Sequence, residues 1–239
     1  MMIGAYILII WGVAVWSVMV PLGKSFPPRI MRAITIFGGA YLLGVCFINL
    51  LPHVFLGGFT SPTLGLKYAA AIPLGFLIQM LLEQLSSHVE HGHAEEHYSM
   101  WGLIIGLSLH AFLEGMPLID TDGDLHHGLL YGIMLHNIPM ALIFVALMTA
   151  RGYHFWRVLA MLLLFGCMTP LGSLCNLCLL PAAPELQTFI MGVVVGILLH
   201  VSSSILFDHK DNRFTWLKVA LVVTAFAAAY FTPGCAEIY

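Results

Sequence analysis

The chain has 239 residues, 60% of them hydrophobic and only 9% charged, with a mean hydropathy of +0.94 and a formal net charge of −3. That is far too little polar surface to cover a soluble domain, so the chain is an all-α, polytopic integral membrane protein in which 1–239 form a single transmembrane domain. No basic run stands outside the short loops, which excludes nucleic acid as a partner and leaves charge to set topology.

Apolar runs of about 18–23 residues are long enough to cross a bilayer as helices. Eight occur, at roughly 2–21, 34–56, 64–86, 99–119, 128–149, 157–180, 185–207 and 214–232. The first lacks the basic start and small-x-small site of a secretion signal, so it is expected to be retained as a helix. Lys24, Arg29 and Arg32 fall between spans one and two, Arg151 and Arg157 between five and six, and Lys210, Arg213 and Lys218 between or beside seven and eight. Only Lys67 falls on the opposite face, so the positive-inside rule puts both termini outside the cytoplasm, with a bacterial inner membrane as the expected location.

Within span two, His53 follows Leu51 and Pro52 near the outer end, where an interfacial role and a place on a pathway are both open. Span three carries Pro73, Gly75 and Gln79 and ends near Glu83, which either leads into an exit path or snorkels to the interface. The loop after it, Ser86 to Tyr98, holds His88, His91, His93 and His97 with three glutamates. Such a tract reads equally as a weak, exchangeable metal-binding segment and as a solvated polar linker.

Span four contains Ser108-Leu-His110-Ala-Phe-Leu-Glu114-Gly, and span five contains His136-Asn137-Ile-Pro139-Met140. Residues four apart share one helical face, so His110 stands over Glu114 and His136 over Met140. The linking turn, Asp120 to His127, begins like a calcium loop but lacks the closing Glu of an EF-hand. Two helices joined by so short a turn are expected to be antiparallel neighbours, which brings two imidazoles, a carboxylate and a thioether to one depth. Pro139 removes a helical hydrogen bond beside these residues and frees the carbonyl of Leu135. His200 in span seven precedes three serines and either lines the route or bonds a neighbouring helix. Cys175 and Cys178 form a lone CxxC, a weak zinc signal on its own.

Glu114 is the most demanding of these groups. No Lys or Arg lies near mid-membrane to neutralise it, since those within the spans sit at their ends, so a buried carboxylate there calls for a cation or for a proton shared with a histidine. His110 and His136 on adjacent helices also suit the axial ligands of a haem-binding electron-transfer subunit, although Glu114 has no place in such a site. An intramembrane metalloprotease is the least suited reading, because His-x-x-x-Glu is not His-Glu-x-x-His.

These residues resemble the ZIP (Zrt/Irt-like) family of divalent-metal transporters, with His110-Ala-Phe-Leu-Glu114-Gly115 and His136-Asn137-Ile-Pro139-Met140 similar to its two metal-binding motifs. The resemblance implies metal uptake into the cytoplasm, a primary site shared by spans four and five, and a three-two-three helix arrangement with an inverted repeat. It makes Asn137 and Met140 ligand candidates beside His110, Glu114 and His136. Ala111, Asn137 and Met140 depart from the usual Asn, acid and carboxylate, which argues for one metal rather than two. Two nitrogens and one oxygen suit zinc first, with Fe²⁺, Cd²⁺ or Mn²⁺ as other candidate substrates, and disfavour Mg²⁺ and Ca²⁺. No catalytic cofactor or enzymatic activity is expected, and a homodimer is left open.

Overall fold

The computed structural model describes residues 2–23, 27–58, 62–87, 100–119, 125–179, 184–207 and 216–232. Among them the fold is all helix: α1 (Met2–Gly23), α2 (Pro28–Val45), α3 (Leu51–Gly58), α4 (Pro62–Ser87), α5 (Met100–Gly115), α6 (His127–Ala150), α7 (Phe155–Leu179), α8 (Pro184–Phe207) and α9 (Trp216–Phe231). A π-turn, Cys46–Leu50, runs α2 into α3 as one rod, and a 3₁₀ turn, Met116–Leu118, ends α5. The His-rich loop with His88, His91, His93 and His97, and the turn 120–124, lie outside the described residues. Five helical stretches are long and apolar enough to cross a membrane: Pro28–Phe55, Thr63–Gln84, His127–Ala150, Phe155–Cys178 and Glu185–Phe207. Those at Gly102–Leu118 and Trp216–Phe231 are shorter apolar helices.

Local chemistry sets the joints. Pro28 occupies the first position of α2, where its missing N–H is no loss. The π-turn ends where the Leu51 N–H reaches back to the Cys46 carbonyl, immediately before Pro52, which has no N–H to continue the ladder. Helix α6 stops in a Schellman cap. Tyr153 N–H bonds Met148 O at 3.1 Å and Gly152 N–H bonds Thr149 O at 3.0 Å, with Gly152 at φ 73°, the left-handed conformation glycine adopts without strain.

The bundle is apolar on its outside. Phe47, Leu66, Leu81, Ile143, Trp156 and Leu217 are all exposed large hydrophobic side chains, a surface that water rejects and acyl chains accept. Between helices an apolar core is joined by close backbone approaches. A Cβ at Gly75 of α4 would strike the Val193 backbone of α8, and one at Gly196 of α8 would strike that of Ile72. The same relation holds between α5 and α7 at Gly115 against Thr169 and at Gly172 against Phe112. Without a hydrophobic drive between helices in lipid, such backbone approach supplies the van der Waals contact that associates them. Helices α4 and α8 run parallel, joined at one end by Lys67 and Glu185 (3.7 Å) and near the other by Glu83 and His200 (3.5 Å).

One expectation needs correction. The short connection suggests that α5 and α6 are packed antiparallel neighbours. Their backbones instead pack mainly elsewhere, α5 on α7 and α6 on α1 and α2. Helix α6 approaches α2 closely at Gly38, where a Cβ would lie 3.4 Å from the Leu135 carbonyl oxygen, the group freed by Pro139. With α5 drawn toward one set of partners and α6 toward another, what meets between them is side chains.

Candidate metal centre

Those side chains are His110 and Glu114 from α5 and His136 from α6. All three are buried, and Glu114 has no exposed surface at all. His110 Nε2 lies 3.0 Å from Glu114 Oε1, one helical turn away, and the two imidazole rings stand 5.7 Å apart, centroid to centroid, at 73°. One ligand atom from each of the three residues lies within 4.8 Å of the others. Ligand atoms on a tetrahedral zinc stand roughly 3.3 Å apart, so a small inward movement of the side chains closes the set on an ion.

The hydrogen bonding leaves this group unfinished. His110 Nδ1 pairs with Gln79 Oε1 of α4 at 2.9 Å. An amide oxygen only accepts, so Nδ1 carries the ring hydrogen and a neutral His110 turns the lone pair of Nε2 toward a carboxylate oxygen. Two electron-pair donors facing each other at that distance need a shared proton or a metal cation between or beside them. Both Glu114 oxygens, both nitrogens of His136 and Oδ1 of Asn137 are buried without a hydrogen-bond partner. In a low-dielectric interior such groups are costly unless something coordinates them.

Asn137 is thus buried next to the cluster, while Met140, one turn along α6 from His136, is half-buried. His53 is exposed and sets its ring 5.7 Å from that of His126, the residue preceding α6. His200 is buried under Phe76, with ring centroids 4.6 Å apart, and meets Glu83. Cys175 and Cys178 form no disulfide. Two partnerships escape sequence reasoning. Gln79 stands 31 positions before His110, and the pairing of His53 with His126 likewise joins distant segments. Gln79 leaves one signal in the sequence, an amide in an apolar span one turn before Glu83.

The haem reading loses its geometry here. Glu114 Oε1 stands 3.0 Å from His110 Nε2, in the space an axial iron and its macrocycle would need.

A lipid-facing helical bundle that buries two imidazoles and a carboxylate together is an integral membrane protein equipped to meet a metal cation. A family model described as ZIP zinc transporter matches residues 93–230, more than half of the chain. The chain belongs to the ZIP family, whose members transport divalent metal ions across membranes and are not catalytic enzymes. No curated protein matches the chain significantly.

Proposed function

We propose that the protein carries zinc into the cytoplasm through a single site made by His110, Glu114 and His136. The observation that carries this reading is the fully buried Glu114 carboxylate, held 3.0 Å from one imidazole and close to a second, with no hydrogen bond to either oxygen. Two nitrogens and one oxygen favour zinc over the oxygen-seeking Mg²⁺ and Ca²⁺. Asn137 Oδ1 and the Met140 thioether are held in reserve as further ligands. Fe²⁺, Cd²⁺ and Mn²⁺ are competitors for the same set.

In this reading eight helical rods cross the bilayer, with both termini outside. The ion passes His53 and His126 on the outer side, exchanges most of its water for the three ligands, and leaves past Glu83 and His200 toward the His-rich loop. Each ligand bond must break for release, so the binding that serves transport is moderate rather than tight. The backbones of α5 and α6 pack mainly on different partners, so a shift of one relative to the other would change the separation of their ligands. A homodimer is compatible with this scheme and is not needed by it.

Zinc flux into proteoliposomes tests the assignment. Glu114→Ala is expected to reduce uptake to the background of empty vesicles while leaving the protein folded in the membrane. Wild-type flux in that variant would remove the site.

A further inference from the structure

We propose that Gln79 is a positioning residue of the metal centre, holding His110 in the orientation and tautomer in which Nε2 is given to the ion. The inference rests on the reading of His110, Glu114 and His136 as the metal site.

When a metal takes Nε2, the ring hydrogen must reside on Nδ1. Nδ1 points into an apolar bundle, where an N–H without an acceptor is penalised. Gln79 Oε1 stands 2.9 Å away and is itself buried, a position that supplies the missing acceptor. A competing arrangement exists. With no acceptor at Nδ1, the hydrogen of the neutral ring moves to Nε2 and is donated to Glu114 Oε1 at 3.0 Å, which closes the site on itself and uses up two ligand atoms. Gln79 therefore selects between an open, metal-ready histidine and a self-bonded one.

Its helix also gives the contact a mechanical reach. Gln79 is carried by α4, which is locked to α8 by the close approaches at Gly75 and Gly196. The ligand histidine on α5 is thereby referenced to the α4 and α8 pair rather than to α6 alone. One turn beyond Gln79 on the same helical face is Glu83, the partner of His200. A neutral amide in this place orients the imidazole without adding a second negative charge, in keeping with a ligand that must let go.

The test is zinc affinity of the purified full-length protein in detergent, titrated against a chromophoric chelator. Gln79→Met keeps the size and removes the acceptor, and loss of an outer hydrogen-bond partner of a metal-ligating histidine is expected to weaken zinc by about 10–100-fold. Gln79→Glu restores an acceptor oxygen and is expected to hold zinc within about threefold of wild type or more tightly. Affinity of Gln79→Met within about threefold of wild type overturns the proposal, and so does equal weakening by Met and Glu, which would mean packing alone. The reading beneath it is tested separately. If Glu114→Ala leaves zinc affinity unchanged, the site itself is wrong, whereas a large loss there beside an unaffected Gln79→Met removes only the role of Gln79. A measurement without any variant completes the test: in zinc-loaded wild type with isotope-labelled histidine, nitrogen NMR is expected to find the His110 hydrogen on Nδ1, and finding it on Nε2 overturns the proposal.

Discussion

The most demanding residue in this fold is Glu114, a fully buried carboxyl group. A carboxylate with no exposed surface in an apolar helix is costly to keep charged without a partner, and here one imidazole lies 3.0 Å away with a second in the same cluster. Each buried polar atom left without a partner costs on the order of 1–3 kcal/mol, and here Glu114, His136 and Asn137 all contribute such atoms to one place. That concentration is expensive in a resting protein and useful in one that receives an ion. Two outcomes follow at this scale. His136→Ala removes one of the two proposed nitrogen ligands and is expected to lower zinc affinity by more than about tenfold in the chelator titration, with Met140→Leu, half-buried and further along α6, near wild type. Protons compete with metal for the imidazole nitrogens, and ligand atoms must be deprotonated to bind, so zinc affinity is expected to fall as pH is lowered from about 7.5 to about 5.5. An affinity that rose or stayed flat across that range would deny the imidazoles a direct part in binding.

At the scale of the element, glycines decide which helices can bring their ligands near one another. Gly115 follows Glu114 directly and lets α5 lie against the Thr169 backbone of α7, while Gly172 of α7 returns the contact at Phe112. A side chain at either glycine meets backbone, which cannot swing aside as the tip of a flexible side chain can. Gly172→Val is therefore expected to destabilise the α5 and α7 pair by more than about 2 kcal/mol, read as a lowered midpoint of thermal unfolding in detergent. An unchanged midpoint would mean that these helices are not held at that distance. Much at this scale was open to reading from sequence. The apolar runs coincide with helices to within a few residues for most of the chain, because in lipid every backbone polar group must be satisfied within its own segment and length alone is informative. The i, i+4 spacing likewise put His110 beside Glu114. What stayed hidden is what no local pattern encodes. The choice of α7 over α6 as the partner of α5 depends on small residues meeting across distant segments, and Gln79 finds His110 only because α4 and α5 touch. The π-turn has a local cause in Pro52, but a proline in an apolar run signals a break without saying which kind.

For the whole molecule the open physical question is which way it faces. The asymmetry of charge is steep. Among the described residues six are basic, and of these only Lys67 lies at its end of the bundle, where it meets Glu185 of α8 at 3.7 Å, with both side chains exposed. On the other side Lys218 donates to the Leu206 carbonyl at 2.7 Å, satisfying a backbone acceptor at the end of α8, while Arg157 is exposed at the start of α7. Basic residues in short loops resist translocation, so the crowded side is expected to be cytoplasmic. The direction of transport depends on this orientation. With the crowded face inside, His53 and His126 are the first histidines an entering ion meets and Glu83 with His200 the last; with the bundle inverted, the same ligands would describe export. Cysteine placement separates the two. In a variant freed of its native cysteines, Lys67→Cys is expected to react with a membrane-impermeant thiol reagent in intact cells, and Arg157→Cys only after the membrane is opened. The opposite pattern would reverse the topology and with it the proposed direction, while leaving the site of His110, Glu114 and His136 unaffected, because the chemistry of three buried ligands does not depend on which solution the ion came from.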